Sequence, residues 1–227
     1  MNLQLFNSQA LSRELCSYLS NTKAEHVGFG IPGGRSPGKV LTPLAQQCPE
    51  ELRSRLHLFW VDERCVDIGH PDRNDLTTLN AWKEGGAAPG HVHPMPAEKS
   101  DLNSACREYD ELLSKTQMKD GLHLALLGIG EDGHFASLFP NHPKLQEKND
   151  VFAIVDSPKP PPTRLSFSLG YIQKSQRIDV LVFGADKGAI LKQGFDKPSP
   201  NIPVSLLKDH HNIHFHLDEA AMTSFED

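Results

Sequence analysis

The chain has 227 residues, 38% of them hydrophobic and 23% charged, which suits one well-filled α/β domain spanning 1–227 better than two ordinary ones. Its formal charge of −6 makes no electrostatic case for nucleic acid or an anionic membrane, although a small anionic ligand needs only local cations. Four widely spaced cysteines, Cys16, Cys48, Cys65 and Cys106, contain no CxxC pair, which argues against a disulfide framework or zinc knuckle and for reduced thiols.

The N-terminal string MNLQLFNSQALSREL has no basic region leading into a long apolar run, and no later segment reaches membrane-spanning length. A cytoplasmic location is therefore expected. Val27 to Ile31 reads as a short apolar strand ending in a Pro-Gly-Gly turn, and SPGKVLTPLAQQC as a helix start weakened by Gly38 and Pro43. RLHLFWVDER reads as one strand whose C-terminal end becomes charged. NDLTTLNAWK is expected to be helical and GGAAPGHVHPMP an irregular connection. In SDLNSACREYDELLSK the apolar residues fall at helical spacing, with Ser100 or Asp101 as the cap.

LHLALLGIG is continuously apolar, as a parallel strand covered on both faces would be. VFAIVD is a shorter strand, PKPPPTRLSFSLGYIQKS begins as a stiff turn, and RIDVLVFG is again a central-type strand. ADKGAILKQG has helical character, IPVSLLKDH suggests a short helix, and NIHFHLDEAA is the last strand. This alternation predicts a three-layer, Rossmann-like α/β domain with a mainly parallel sheet. Ligands of such sheets sit beyond the carboxyl ends of the strands, and GGRSP, DER and GEDGH all follow strands there.

Each string has a plain reading beside a chemical one. Gly33, Gly34 and Ser36 can present N–H groups and a hydroxyl to an oxyanion, or simply make a tight turn. The spacing is neither a Walker nor a dinucleotide fingerprint. Alternation puts Asp62 and Arg64 on one side and Glu63 on the other; read alone, DER is better taken as a structural salt bridge. In GIGEDGHFASLFP the glycines bring Asp132 and His134 to the rim, where an imidazole titrating near about 6.5 can accept a proton and a carboxylate can select its tautomer. Arg164 and Lys187 suit an anion or are solvated surface charges. The histidines of DHHNIHFH and the pair His91 and His93 do not establish a tetrahedral metal site, and structural or surface roles are preferred.

Together these strings, with the Asn74 region, PKPPPTRLSF and VLVFGADKGAIL, resemble the 6-phosphogluconolactonase family within the glucosamine-6-phosphate isomerase/deaminase fold group. The resemblance covers nearly the whole chain, and GxGxDGHxASLFP is its strongest element. It implies hydrolysis of 6-phospho-D-glucono-1,5-lactone to 6-phosphogluconate in the oxidative pentose phosphate pathway, without metal or organic cofactor. It also implies roles: His134 as general base, Asp132 supporting it, Gly33, Gly34 and Ser36 in the first substrate loop, and Asp62 and Arg64 in the second. Asn74 falls in the matched substrate region, and Arg164 and Lys187 match phosphate-side positions. A phosphorylated sugar lactone is thus the expected partner; a homodimer is left open.

Two positions depart from the family's usual pattern. Arg35 stands in GGRSP where a small hydroxyl residue is usual, and adds a further cation to the substrate-binding set. Arg73 stands before Asn74 where serine is usual. Related deaminases follow the histidine with HIAFNEP, whose glutamate assists ring opening; here Phe139 occupies that position, and DER replaces their DEY. An apolar ring cannot transfer a proton, so lactonase is favoured over the deaminase, and the intact Asp132–His134 pair favours it over a non-catalytic sugar-phosphate-binding regulator. Fold alone does not separate them.

Overall fold

The computed structural model describes residues 2–34 and 36–226. Seven strands form one parallel sheet: β1 (Asn2–Leu5), β2 (Val27–Ile31), β3 (Leu56–Trp60), β5 (His91–His93), β6 (Leu124–Gly128), β9 (Ile178–Val182) and β10 (Ile213–Leu217), in the order β1-β10-β9-β6-β2-β3-β5. A second, antiparallel sheet holds β4 (Asp62–Arg64), β8 (Arg164–Phe167) and β7 (Val151–Ile154).

The central strands are apolar throughout because both faces are covered. Alternate residues go to opposite cores: Leu124 and Leu126 pack on one side with Phe29, Leu58 and Trp60, while Ala125 and Leu127 pack on the other with Val180, Val182 and Phe215. Against the first face lie α1 (Ser8–Asn21), α2 (Gly38–Gln47) and α4 (Asn74–Glu84), through Leu15, Leu44 and Trp82. A single short turn, α3 (Glu50–Arg53), leads into β3. The second face is covered by α5 (Leu102–Lys115), α6 (Leu169–Gln173), α7 (Ala185–Asp196) and α8 (Glu219–Glu226). No described helix is long and apolar enough to cross a membrane.

Several elements differ from the expectation. RLHLFWVDER is not one strand: the chain leaves the main sheet at Val61, and Asp62–Arg64 pairs with β8 instead. Within GGAAPGHVHPMP, His91–His93 forms an edge strand on β3. The short helix expected in IPVSLLKDH is present as a 3-10 helix at Pro203–Leu207, but the last strand ends at Leu217, with α8 beyond it. A strand and a helix also precede Val27, at Asn2–Leu5 and Ser8–Asn21. The helix has a readable cap, the Asn7 side chain accepting from Ala10 N at 2.9 Å, and a buried stripe at Leu11, Leu15 and Leu19.

Of the late histidines, His216 is structural. His216 Nε2 meets Asp179 Oδ1 at 2.6 Å in a buried network with Arg177. His93 belongs to a chain of imidazoles at the β3–β5 edge: His26 Nδ1 lies 3.0 Å from His57 Nε2, and His57 Nδ1 2.8 Å from His93 Nε2. Burial, with the nearby imidazoles, holds both His57 and His93 at about 4. The unfolded chain, titrating near about 6.5, then binds more protons in between. The stabilisation is therefore complete above about pH 6.5 and is lost as pH falls to about 4. Urea midpoints measured across this window are expected to fall in the wild type and to fall less in His57→Gln.

Candidate active site

The sheet changes its direction of travel between β2 and β6: β3 and β5 extend to one side, β9 and β10 to the other. Loops after two such strands diverge to opposite faces and leave a crevice. A cleft of about 300 Å³ opens there, lined by Gly33, Gly34 and Ser36 after β2, Asp62 and Arg64 of β4, Asn74, Gly128 to Gly130, His134, Arg164 and Lys187. The three strings separated in sequence thus share one site. Asp132 stands behind it, against His134. Arg35 lies outside the described residues. A wider cavity of about 630 Å³ lies between α5 and β7, but its buried carboxylate Asp150 is already held by Lys119 and Lys174, each at 2.8 Å.

The turn after β6 brings Asp132 and His134 together. Gly130 N donates to His134 O at 2.8 Å, and Gly133 N to Gly130 O at 3.0 Å. Gly133 has a φ of +76°, a conformation that favours glycine. His134 Nδ1 sits 2.5 Å from Asp132 Oδ1, and His134 N also donates to that oxygen at 3.2 Å. Burial alone would raise the Asp132 carboxyl, but hydrogen bonds and charge from His134, helped by Lys159, bring it down to about 2. An ionised Asp132 accepts from Nδ1–H and leaves Nε2 unprotonated toward the cleft, the tautomer a general base requires. Phe139, 1% exposed, packs against the imidazole with ring centroids 4.8 Å apart.

Gly130 is a requirement that the motif suggested only as flexibility. A Cβ there would lie 2.1 Å from His134 Nδ1 and 2.7 Å from Asp132 Oδ1. Gly130→Ala is therefore expected to displace the pair and lower kcat by roughly 10²-fold, the scale of a 1 Å misplacement, with an unchanged circular-dichroism spectrum. Gly33 is constrained in the same way, since a Cβ would come within 1.7 Å of Asn74 Oδ1.

The opposite wall is cationic. Arg64 and Arg164 are direct partners in the β4–β8 register and so share a face. Like charges so placed are unfavourable without an anion to hold. Burial, followed by the opposing effects of Asp62 and Arg64, leaves Arg164 below its ordinary value. Arg164 donates from Nε to Pro161 O at 3.1 Å, and from Nη2 to Lys159 O and Pro160 O at 3.1 and 3.0 Å; Nη1 lies 3.7 Å from Asp62 Oδ2. Among the described residues, Nη1 alone of the three nitrogens makes no hydrogen bond. Arg64 Nη1 donates to Asp72 O at 2.8 Å, while its buried Nε has no partner among the described residues. Lys187, at the start of α7, has no carboxylate partner among the described residues.

Asp62 is a scaffold for this wall. It accepts from Ser137 Oγ at 2.8 Å, and Asn74 Nδ2 donates to its backbone oxygen at 2.8 Å. Ser137, fully buried, was not singled out in the sequence, because nothing local relates it to a strand 75 residues away. Arg73 does not enter the cleft. It is 2% exposed and binds Asp75, Glu98 and Met95 O.

A parallel sheet with a basic crevice at its switch point and a carboxylate-held histidine defines an α/β protein acting on small anions. Residues 7–215 match the family model of glucosamine-6-phosphate isomerases/6-phosphogluconolactonase, and the chain belongs to that family. It is 34% identical to a 6-phosphogluconolactonase of Synechocystis sp. over 174 residues, covering 74% of this chain and 70% of that protein. It is 32% identical to one of Mycobacterium leprae over 209 residues, covering 86% and 85%. The crystal structure of a 6-phosphogluconolactonase from Thermotoga maritima shares the fold, with a TM-score of 0.83 over 96% of this chain and 98% of that one at 22% identity.

Proposed function

We infer that the protein hydrolyses 6-phospho-D-glucono-1,5-lactone to 6-phospho-D-gluconate, a step of the oxidative pentose phosphate pathway. The family embraces both isomerases and lactonases, so the choice rests on the site. The observation that carries it is Phe139: its buried ring packs on His134 and lies beneath the Arg164 guanidinium, 5.7 Å from centroid to Cζ. Sugar-ring opening in the deaminases needs an acid at that position, whereas lactone opening needs only a base, a water and an anion-binding wall.

His134 Nε2 takes a proton from water as the water oxygen attacks C1. The tetrahedral oxyanion requires donors where its charge develops, and Arg64 or nearby backbone amides are the candidates. The C1–O5 bond then breaks, and the imidazolium returns its proton to O5. Asp132 stabilises the imidazolium through Nδ1. The Gly33–Ser36 turn, Lys187 and Arg164 Nη1 hold the C6 phosphate in this reading. Freshly generated lactone, corrected for spontaneous opening, should be consumed faster with enzyme, and glucosamine 6-phosphate should release no ammonia. Ammonia release would select a deaminase; tight binding of 6-phosphogluconate without turnover would select a regulator.

A further inference from the structure

Glu63 takes no part in the proton transfers above, yet it is fully buried between two elements that line the cleft. We propose that Glu63 is a positioning residue for this reaction: its carboxylate ties the Arg64 backbone to the first turn of α4, so that Arg64 and Asn74 face the substrate in one fixed arrangement. The proposal rests on the lactonase reading. Strand alternation turns Glu63 away from the cleft while its neighbours Asp62 and Arg64 line it. Its Oε1 accepts from Arg64 N and from Asn74 N, each at 2.7 Å, and Oε2 from Asp75 N at 2.9 Å. The Asn74 and Asp75 donors belong to the start of α4, which has no side-chain cap from its own Arg73. One carboxylate therefore supplies the missing cap and joins it to β4.

Arg73 supplies the second half of the device. Its guanidinium is buried against Asp75 Oδ2 at 2.8 Å and Glu98 Oε2 at 3.1 Å, and its charge also interacts with Glu63. Arg64 Nη1 closes the loop on Asp72 O at 2.8 Å, so both ends of the segment between β4 and α4 are held. The arginine at the position where serine is usual thus acts from beneath the cleft. The charged and titratable groups interacting with Glu63 are Asp75, Arg73, Arg164, Tyr109 and Cys65. Burial, opposed by the three N–H donors and reinforced by Asp75, pushes the Glu63 carboxyl up to about 7, within reach of a titration in the folded protein.

Glu63→Gln keeps the shape but has only one acceptor oxygen for donors that now use two. The expected result is a kcat/KM for the lactone lowered roughly tenfold, mostly in kcat, because Arg64 stands among the donors for the oxyanion in the proposed mechanism. A lowered melting temperature with unchanged kcat/KM would show a merely structural role and overturn the proposal. In wild-type protein, the backbone amide signals of Arg64, Asn74 and Asp75 should move together with one midpoint in a proton–nitrogen NMR titration, and independent behaviour would overturn it even if the variant failed to fold. A wild type that does not accelerate lactone opening would instead remove the lactonase reading, and this role with it. An active wild type and an indifferent variant would remove the positioning role alone.

Discussion

Replacing His134 with glutamine is expected to lower lactone turnover by roughly 10²–10⁴-fold, the usual contribution of a positioned acid–base group. The magnitude follows from the double use of one imidazole in the proposed mechanism, where it removes a proton from water and later supplies one to O5. Glutamine fills similar space but neither accepts nor donates a proton at neutral pH. Packing against Phe139 should be retained, so KM is expected to change far less than kcat. Stopped-flow measurement against the spontaneous background decides it; turnover equal to wild type would exclude His134 as the base.

The second large effect is expected for Asp132→Asn. Asparagine can present its NH2 to Nδ1, which selects the tautomer with its proton on Nε2 and removes the base from the cleft. It also withdraws the negative charge that steadies the imidazolium. A loss of about 10²–10⁴-fold in kcat is expected from analogous carboxylate–histidine pairs. The carboxyl at about 2 stays ionised throughout the working pH range. Because this value lies below that of an unfolded aspartate, about 3.9, its contribution to stability is complete above about pH 4. It is lost as pH falls through about 2, and the asparagine variant should lack that component in acid denaturation curves. A kcat within a few-fold of wild type would show that His134 needs no carboxylate to set its tautomer.

Both results would bear on residues already visible in the sequence, and the reason is local. Asp132 and His134 are two residues apart on a turn whose glycines enforce their approach, so their meeting needs no distant element. Phe139 likewise announces itself by replacing an acid in a short string. The strands β2, β6 and β9 were legible because a short run of unbroken apolarity is stable only where both of its faces are covered. Edge strands fared worse. Asn2–Leu5 and His91–His93 are short and partly exposed, and their pairing partners, not their residue types, make them strands.

By itself, the sequence determined the alternation of buried strands and helices, the switch to charged residues at the strand ends, and the histidine–aspartate turn. These depend on periodicity and short spacing, which a linear chain displays. Only the tertiary structure decided that DER leaves the main sheet, that Arg64 faces Arg164 across an antiparallel pair, and that Ser137 fixes Asp62. It also decided that Glu63 and Arg73 lie beneath the cleft while Lys187 remains at its mouth. Hydrogen bonds and charge act across space, and residues far apart along the chain share this site because the strands are parallel and their carboxyl ends all point one way.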